Sequence, residues 1–295
     1  NPDLFWALRG GGGNFGIVTS FEYRLHPVGP EVLCGPVFWV MEEAPEVLRH
    51  YRQLAADLPR EVTTIVNLRK APPLPVVPDE MHGRPVCVIA MAYAGDPKAG
   101  ERVLAPLRGF RQPLLDGVAV RPYVALQGLL DATVLHGWHY YWKSTELAPL
   151  TDEVTDIMVD HSSQIGSPLT YSVTFQLGGA IADVDEGATA YSHRKAAHNI
   201  NINGIWRPDE PLAEQETAWT RSFFTALEPH QAGVYVNFLG DEGQDRVRAA
   251  YGEEKYRRLV DLKDRWDPDN VFRLNQNIAP SSSGTAAPRS SAVGS

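Results

Sequence analysis

Two cysteines occur among 295 residues, Cys34 and Cys87, each inside an apolar strand-like run. That scarcity excludes a disulfide framework. Two buried free thiols are the simpler reading, and a single bridge between them stays open. Long runs of lysine or arginine are missing and the formal charge is −9, so no surface is expected for nucleic acid or for an anionic membrane. No apolar run approaches the ~18 residues of a membrane span, and a soluble protein is expected. Neither a Gly-x-Ser-x-Gly elbow nor a His-Glu-x-x-His pair is present, which leaves hydrolase readings with no residues to rest on. His136 and His139 have the spacing of a ligand pair, but no further Cys, His or carboxylate cluster completes a metal site. No internal repeat of solenoid length is evident. Nothing near Asn1 resembles a charged-then-apolar signal sequence. The chain opens at Asn1 in the middle of a motif, and the expectation is that a further portion of the protein precedes it.

What is present is glycine in one concentrated place. Arg9 is followed by Gly10, Gly11, Gly12 and Gly13, then Asn14, Phe15, Gly16, Ile17, Val18 and Thr19. Such a run takes positive φ readily and lets a ligand approach without meeting a Cβ. Gly11, Gly13 and Gly16 satisfy the dinucleotide pattern G-x-G-x-x-G, but that pattern needs a strand before it and a helix after it. Here the order is reversed: residues 3–9 read as a short helix and Phe15 to Leu25 as a strand rich in β-branched and aromatic residues. A Rossmann site is disfavoured. Contact with a ligand and a plain helix-to-strand turn are the remaining readings, and four glycines exceed what a turn requires.

The stretch from Asn1 to Thr19 resembles the end of the FAD-binding domain in FAD-linked oxidases of the vanillyl-alcohol-oxidase superfamily, berberine-bridge-enzyme-like branch. The far end resembles the same branch through Tyr251-Gly252, Tyr256 to Leu259, Leu262-Lys263, Trp266 to Arg273 and Asn275 to Ile278. The resemblance implies FAD as cofactor. It also implies that the histidine, and often a cysteine, that hold flavin covalently in the family belong to the portion expected upstream. Neither Cys34 nor Cys87 sits in a matching motif.

Between these ends, strands and amphipathic helices alternate. Strands are expected at 31–41, 62–68, 85–94, 118–120, 138–144, 169–177, 199–206 and 234–239, and helices at 42–58, 96–110, 149–163, 208–227 and 244–266 with a break at Gly252. The pattern predicts an α+β fold, an antiparallel sheet covered by helices, joined to the C-terminal remnant of an FAD-binding α+β domain. The expected division is 1–29 as the end of the FAD domain and 30–233 as the substrate domain. Residues 234–280 form the berberine-type segment returning to the FAD domain, and 281–295 a tail too poor in apolar residues to fold.

Alternation along the strand expected at 234–239 would put Tyr235 and Asn237 on one face. Tyr235 is either an ordinary sheet tyrosine or a general base that takes a substrate hydroxyl proton while hydride leaves for flavin. The family's Tyr-x-Asn strand, which this stretch resembles, implies the second role. Gly178-Gly179 ends a strand and lets the chain turn across a pocket. Asp183, just beyond, matches the place of an acidic or phenolic side chain in the family, a substrate-side partner if not part of a solvated loop. Tyr191-Ser192-His193-Arg194 resembles another family segment, read here as structural. The amides of Asn199, Asn201 and Asn203 form one polar strand face, lining either a wet substrate cavity or an exposed sheet. The resemblance assigns Gly11, Gly12, Gly13, Asn14, Gly16, Ile17, Val18, Asn237, Tyr251, Asn275 and Gln276 to the flavin, the last two offering amide donors and acceptors to a ring edge or ribityl chain. It implies hydride removal from an alcohol, sugar or amine carbon of a small molecule, with molecular oxygen as acceptor. An oxygen-independent dehydrogenase and a non-catalytic fragment or binding module are the alternatives.

Overall fold

The computed structural model describes residues 1–73, 77–131, 134–240 and 242–281. In chain order the elements are α1 (Pro2–Leu8), β1 (Glu31–Val40), α2 (Ala44–Ala55), β2 (Val62–Lys70), β3 (Pro85–Tyr93), α3 (Pro97–Arg108), β4 (Leu115–Asp116), β5 (Ala119–Pro122) and α4 (Tyr123–Gln127). There follow β6 (His139–Leu147), α5 (Asp152–Ser163), β7 (Tyr171–Gln176), α6 (Ala180–Asp183), β8 (His198–Trp206), α7 (Ala213–Leu227), β9 (Gln231–Gly233), α8 (Gln244–Tyr251) and α9 (Glu253–Trp266). Contacts divide the chain into two compact units. One comprises Asn1–Tyr23, Val184–Arg194 and the chain from Val234; the other comprises Arg24–Asp183 and Lys195–Gly233. Residues 184–194, counted with the substrate domain from sequence, therefore pack with the two chain ends.

The larger unit is an α+β layer. Its strands run in the order β4-β1-β3-β2-β7-β8-β6-β9, with β5 also on β1, and the pairings are antiparallel. Strand alternation sends Leu33, Val37 and Trp39 of β1, Val66 and Leu68 of β2, Ile89 and Met91 of β3 and Ile200 and Ile202 of β8 to one face. There they pack against Leu48 and Tyr51 of α2, Leu104 of α3, Met158 of α5 and Phe223 of α7. Each such side chain contributes roughly 1.5–3 kcal/mol on leaving water. Caps set the helix starts: Asp96 accepts from Lys98 N at 3.3 Å and Thr151 from Val154 N at 3.2 Å. Cys87 pairs across from Trp39 and shares its face, whereas Cys34 pairs across from Ala92 and points the other way. The single bridge left open from sequence does not form; both thiols are free, and burial pushes that of Cys87 up to about 12.

The smaller unit gathers α1, α8 and α9 around Trp6, Phe15, Val236, Tyr251, Leu259 and Ile278. Helix α9 turns Tyr256, Leu259 and Leu262 inward. Arg258 lies over the Trp6 ring at 3.9 Å and pairs with Asp3 at 2.9 Å, tying α9 to α1. Gly252, at φ 73°, makes the break between α8 and α9 that a side chain would strain.

Two expected strands are not strands. Residues 17–29 carry no regular structure, and Ile17, Val18, Phe21, Tyr23 and Leu25 are exposed. Alternation makes a segment competent to pair but supplies no partner, and none of the described residues pairs with it. At 234–239 the strand stops early, as β9, and Val236–Phe238 form a 3₁₀ turn. The expectation of an unfolded tail concerns residues 281–295, of which 282–295 lie outside the described residues.

Candidate functional site

The glycine run begins where α1 ends, Gly11 N donating to Ala7 O at 2.8 Å. Its members do different things. A Cβ on Gly10 (φ 123°) would collide with the backbone of Ala190 and Tyr191, and one on Gly11 with Ala7 O, so these two glycines serve packing. Gly12 (φ 66°) is open, its absent Cβ 3.8 Å from the Tyr251 hydroxyl, and a Cβ on Gly13 would stand 2.6 Å from Asn275 Nδ2. Gly16 (φ 148°) has nothing near it.

Asn14, 2 % exposed, ties this turn to the far end of the chain. Its Nδ2 donates to Gly11 O at 2.9 Å and to Gln276 O at 3.0 Å, and its Oδ1 accepts from Ile278 N at 2.8 Å. Lys263, fully buried, donates to Asn14 O (2.8 Å), Asp267 Oδ2 (2.6 Å) and Phe272 O (2.7 Å). Burial opposes ionisation of Asp267, but hydrogen bonds from Lys263 and from the N–H groups of Phe272 and Val271 hold its carboxyl below the ordinary range. The Lys263–Asp267 pair was not singled out in the sequence. Its signal was an i, i+4 Lys–Asp spacing at the foot of a helix, directly before Pro268.

The two turns border one cavity of about 470 Å³, lined by Gly12, Val236, Asn237, Leu239, Gly240, Leu274, Asn275 and Gln276. Gln276 Nε2 donates to Leu239 O at 2.8 Å and Gly240 O at 3.0 Å, fixing the wall. Behind Gly12 stands Tyr251, 3 % exposed, with a hydroxyl that has no hydrogen-bond partner among the described residues. Burial, then the neighbouring Tyr256, pushes its phenol upward, so it is a donor and not an anion.

Tyr235 and Asn237 do meet, although through the 3₁₀ turn and not through strand alternation: Asn237 Nδ2 donates to the Tyr235 hydroxyl at 2.8 Å. The half-buried Tyr235 ring is edge-on to Phe238 at 5.0 Å and to Tyr191 at 5.8 Å.

Of the residues expected at a cofactor, Gly12, Asn237, Asn275 and Gln276 line the cavity, and Gly13 and Tyr251 touch its lining. Gly11 packs against Ala7 O, and Asn14 is buried and hydrogen-bonded to Gly11, Gln276 and Ile278. Gly16, Ile17 and Val18 are not among the lining residues, and Ile17 is 83 % exposed. Asp183 belongs to the larger unit, on the exposed turn α6, and pairs with Arg60 at 2.8 Å. Among the described residues no three His, Cys, Asp or Glu side chains gather to hold a metal, and no helix is long and apolar enough to cross a membrane.

A family model described as "Berberine and berberine like" matches residues 234–279. An FAD-linked oxidoreductase of Dictyostelium discoideum is 28 % identical over 287 residues, 95 % of this chain and 59 % of that protein. The (R)-6-hydroxynicotine oxidase of Paenarthrobacter nicotinovorans is 27 % identical over 96 % of this chain and 61 % of its own length. The crystal structure of 6-hydroxy-D-nicotine oxidase from Arthrobacter nicotinovorans superposes with a TM-score of 0.79 at 24 % identity, covering 94 % of this chain and 61 % of that one; at this identity the likeness is one of fold. The chain thus spans about 60 % of the length of the curated relatives it matches.

Proposed function

We propose, on the premise that this chain is a berberine-bridge-enzyme-like relative of the FAD-linked oxidases, that it forms part of the flavin and substrate sites of an FAD-dependent oxidoreductase. The reaction we assign is hydride removal from an alcohol, sugar or amine carbon of a small molecule, with molecular oxygen as the electron acceptor. The observation that carries this reading is the single cavity bordered by Gly12 on one side and Asn275 and Gln276 on the other. These residues come from opposite ends of the sequence, and both ends independently resemble the same flavoprotein family.

The residues present suit a flavin. Gly12 leaves room for a ring or chain where a Cβ would intrude, the Asn237, Asn275 and Gln276 amides offer donors and acceptors, and the Tyr251 hydroxyl is a buried donor in want of an acceptor. When bound, FAD supplies the hydride-accepting chemistry. The chain's own groups position and move protons. Tyr235, as the phenolate, takes the proton from the substrate's hydroxyl or ammonium group and becomes the phenol, while the hydrogen bond from Asn237 Nδ2 holds its oxygen in place. Asp183 is assigned to the substrate side. Its exposed ion pair with Arg60 is of a kind worth less than about 1 kcal/mol and is readily exchanged for a substrate hydrogen bond.

The test is made on FAD-loaded protein. Tyr235→Phe is expected to retain the flavin absorbance bands while the rate of flavin reduction by substrate falls by roughly 10²–10⁴-fold, the usual contribution of a positioned base. Unchanged reduction would remove Tyr235 from the proposal, and a protein that never takes up flavin would remove the cofactor.

A further inference from the structure

Two residues after Tyr191, the backbone of the smaller unit does something unusual. His193 adopts φ 61°, a left-handed conformation that a non-glycine residue enters only where its surroundings hold it. Here Glu186 holds it, Oε1 accepting from His193 N and Oε2 from Arg194 N, each at 3.2 Å. Lys255 Nζ completes the clamp by donating to Glu186 Oε1 at 2.7 Å and to Tyr191 O at 2.6 Å. The result of this reversal is that the Arg194 side chain turns back. Its guanidinium lies 4.9 Å from the centre of the Tyr191 ring and is steadied there by Thr189 Oγ1 at 2.6 Å, with the residue 8 % exposed. The Tyr191 ring in turn meets the Tyr235 ring edge to face.

We propose that Arg194 is a positioning residue for Tyr235, acting through the ring of Tyr191. A cation over an aromatic face is held there by the ring and pins it against rotation. The angle of the Tyr191–Tyr235 ring contact is thereby fixed. Phe238 closes the other side and Asn237 holds the oxygen, so that the phenol has one orientation in place of several. A strained residue is kept between Tyr191 and Arg194 because a relaxed backbone there would carry the guanidinium away from the ring. The inference rests on the reading of Tyr235 as proton acceptor, but its geometry is tested separately from that role.

The experiment uses the full chain labelled with 3-fluorotyrosine, with the Tyr235 ¹⁹F line assigned by its disappearance in Tyr235→Phe. In Arg194→Met the Tyr235 line is expected to move and broaden, and in Arg194→Lys, which keeps a cation over the ring, to return toward its original place. In FAD-loaded protein Arg194→Met is expected to slow flavin reduction about three- to tenfold at unchanged KM, the scale of one aromatic contact, and to have no effect in the Tyr235→Phe background. Should Arg194→Met fail to fold, Tyr191→Leu removes the intermediary ring and is expected to give the same displaced Tyr235 line. A Tyr235 line unaltered by Arg194→Met, or by Tyr191→Leu where that variant stands in, overturns the proposal. If the line moves but Tyr235→Phe leaves reduction unchanged, the base assignment falls, and the inferred role for Arg194 falls with it.

Discussion

Replacing Tyr251 by Phe discriminates between a phenol kept for packing and one kept for a ligand. In most buried tyrosines the hydroxyl is hydrogen-bonded and its removal costs about 1 kcal/mol. Tyr251 is 3 % exposed and its hydroxyl lacks a partner among the described residues, so the folded, ligand-free chain already bears the penalty of a desolvated polar group, on the order of 1–3 kcal/mol. The variant keeps the ring and removes that penalty. Urea unfolding of ligand-free Tyr251→Phe is therefore expected to show a midpoint equal to or above that of the parent. Affinity for flavin should move the opposite way. Loss of one hydrogen bond, about 0.5–1.5 kcal/mol, weakens binding by a factor of about 2–12, measurable by quenching of flavin fluorescence on titration. A destabilisation above about 1 kcal/mol would mean that the hydroxyl has a protein partner after all. Unchanged flavin affinity would mean that it faces no ligand, and either result defeats the reasoning.

Three other outcomes are expected. Lys263→Met leaves Asp267, Asn14 O and Phe272 O without their shared buried donor, and should cost about 3–5 kcal/mol in chemical denaturation; a loss below 1 kcal/mol would show that the clasp is dispensable. His198, 6 % exposed, has its pKa pushed down to about 4 by burial. Because the unfolded chain takes that proton near pH 6.5 and the folded chain does not, the stability is whole above 6.5 and is lost as pH falls toward 4, by about 3 kcal/mol in all. His198→Gln should flatten that part of the acid dependence, and an equal acid loss in the variant would refute the assignment. Finally, Gly10→Ala, which drives a Cβ into the Ala190–Tyr191 backbone, should abolish or cripple folding in a thermal melt, whereas Gly16→Ala meets no atom and carries only the strain of its φ, roughly 1–2 kcal/mol.

Helical periodicity and caps were legible because they are local. The α8–α9 pair with its break at Gly252 followed from spacing alone, β6 from its aromatic content and β8 from its alternation of amide and isoleucine. What failed was a property of partners. Phe15 to Leu25 and Val234 to Leu239 both have strand composition, yet none of the described residues pairs with the first as a strand and the second closes into a turn after β9. The glycine run was readable as a place where backbone must come close. Sequence could not apportion it between close packing at Gly10 and Gly11 and open space at Gly12, since that depends on residues 180 positions away. Asn14 illustrates the same limit, because an amide that can meet a cofactor can equally tie two loops together. Lys263 and Arg194 lie in segments that resemble the family, but their burial was not legible, because buried cations look like surface ones until their surroundings are folded around them.

The bare ribbon at residues 17–25 governs how this polypeptide behaves in a tube. Its exposed Phe21 and Tyr23 rings stack on one another at 5.6 Å, in a stretch with no regular structure. Such a stretch adheres to any like stretch it meets, so loss of material on concentration is expected to begin there, tempered by the opposite charges of Glu22 and Arg24 interleaved along it. Mild shielding of that ribbon would improve recovery more than any reinforcement of the interior.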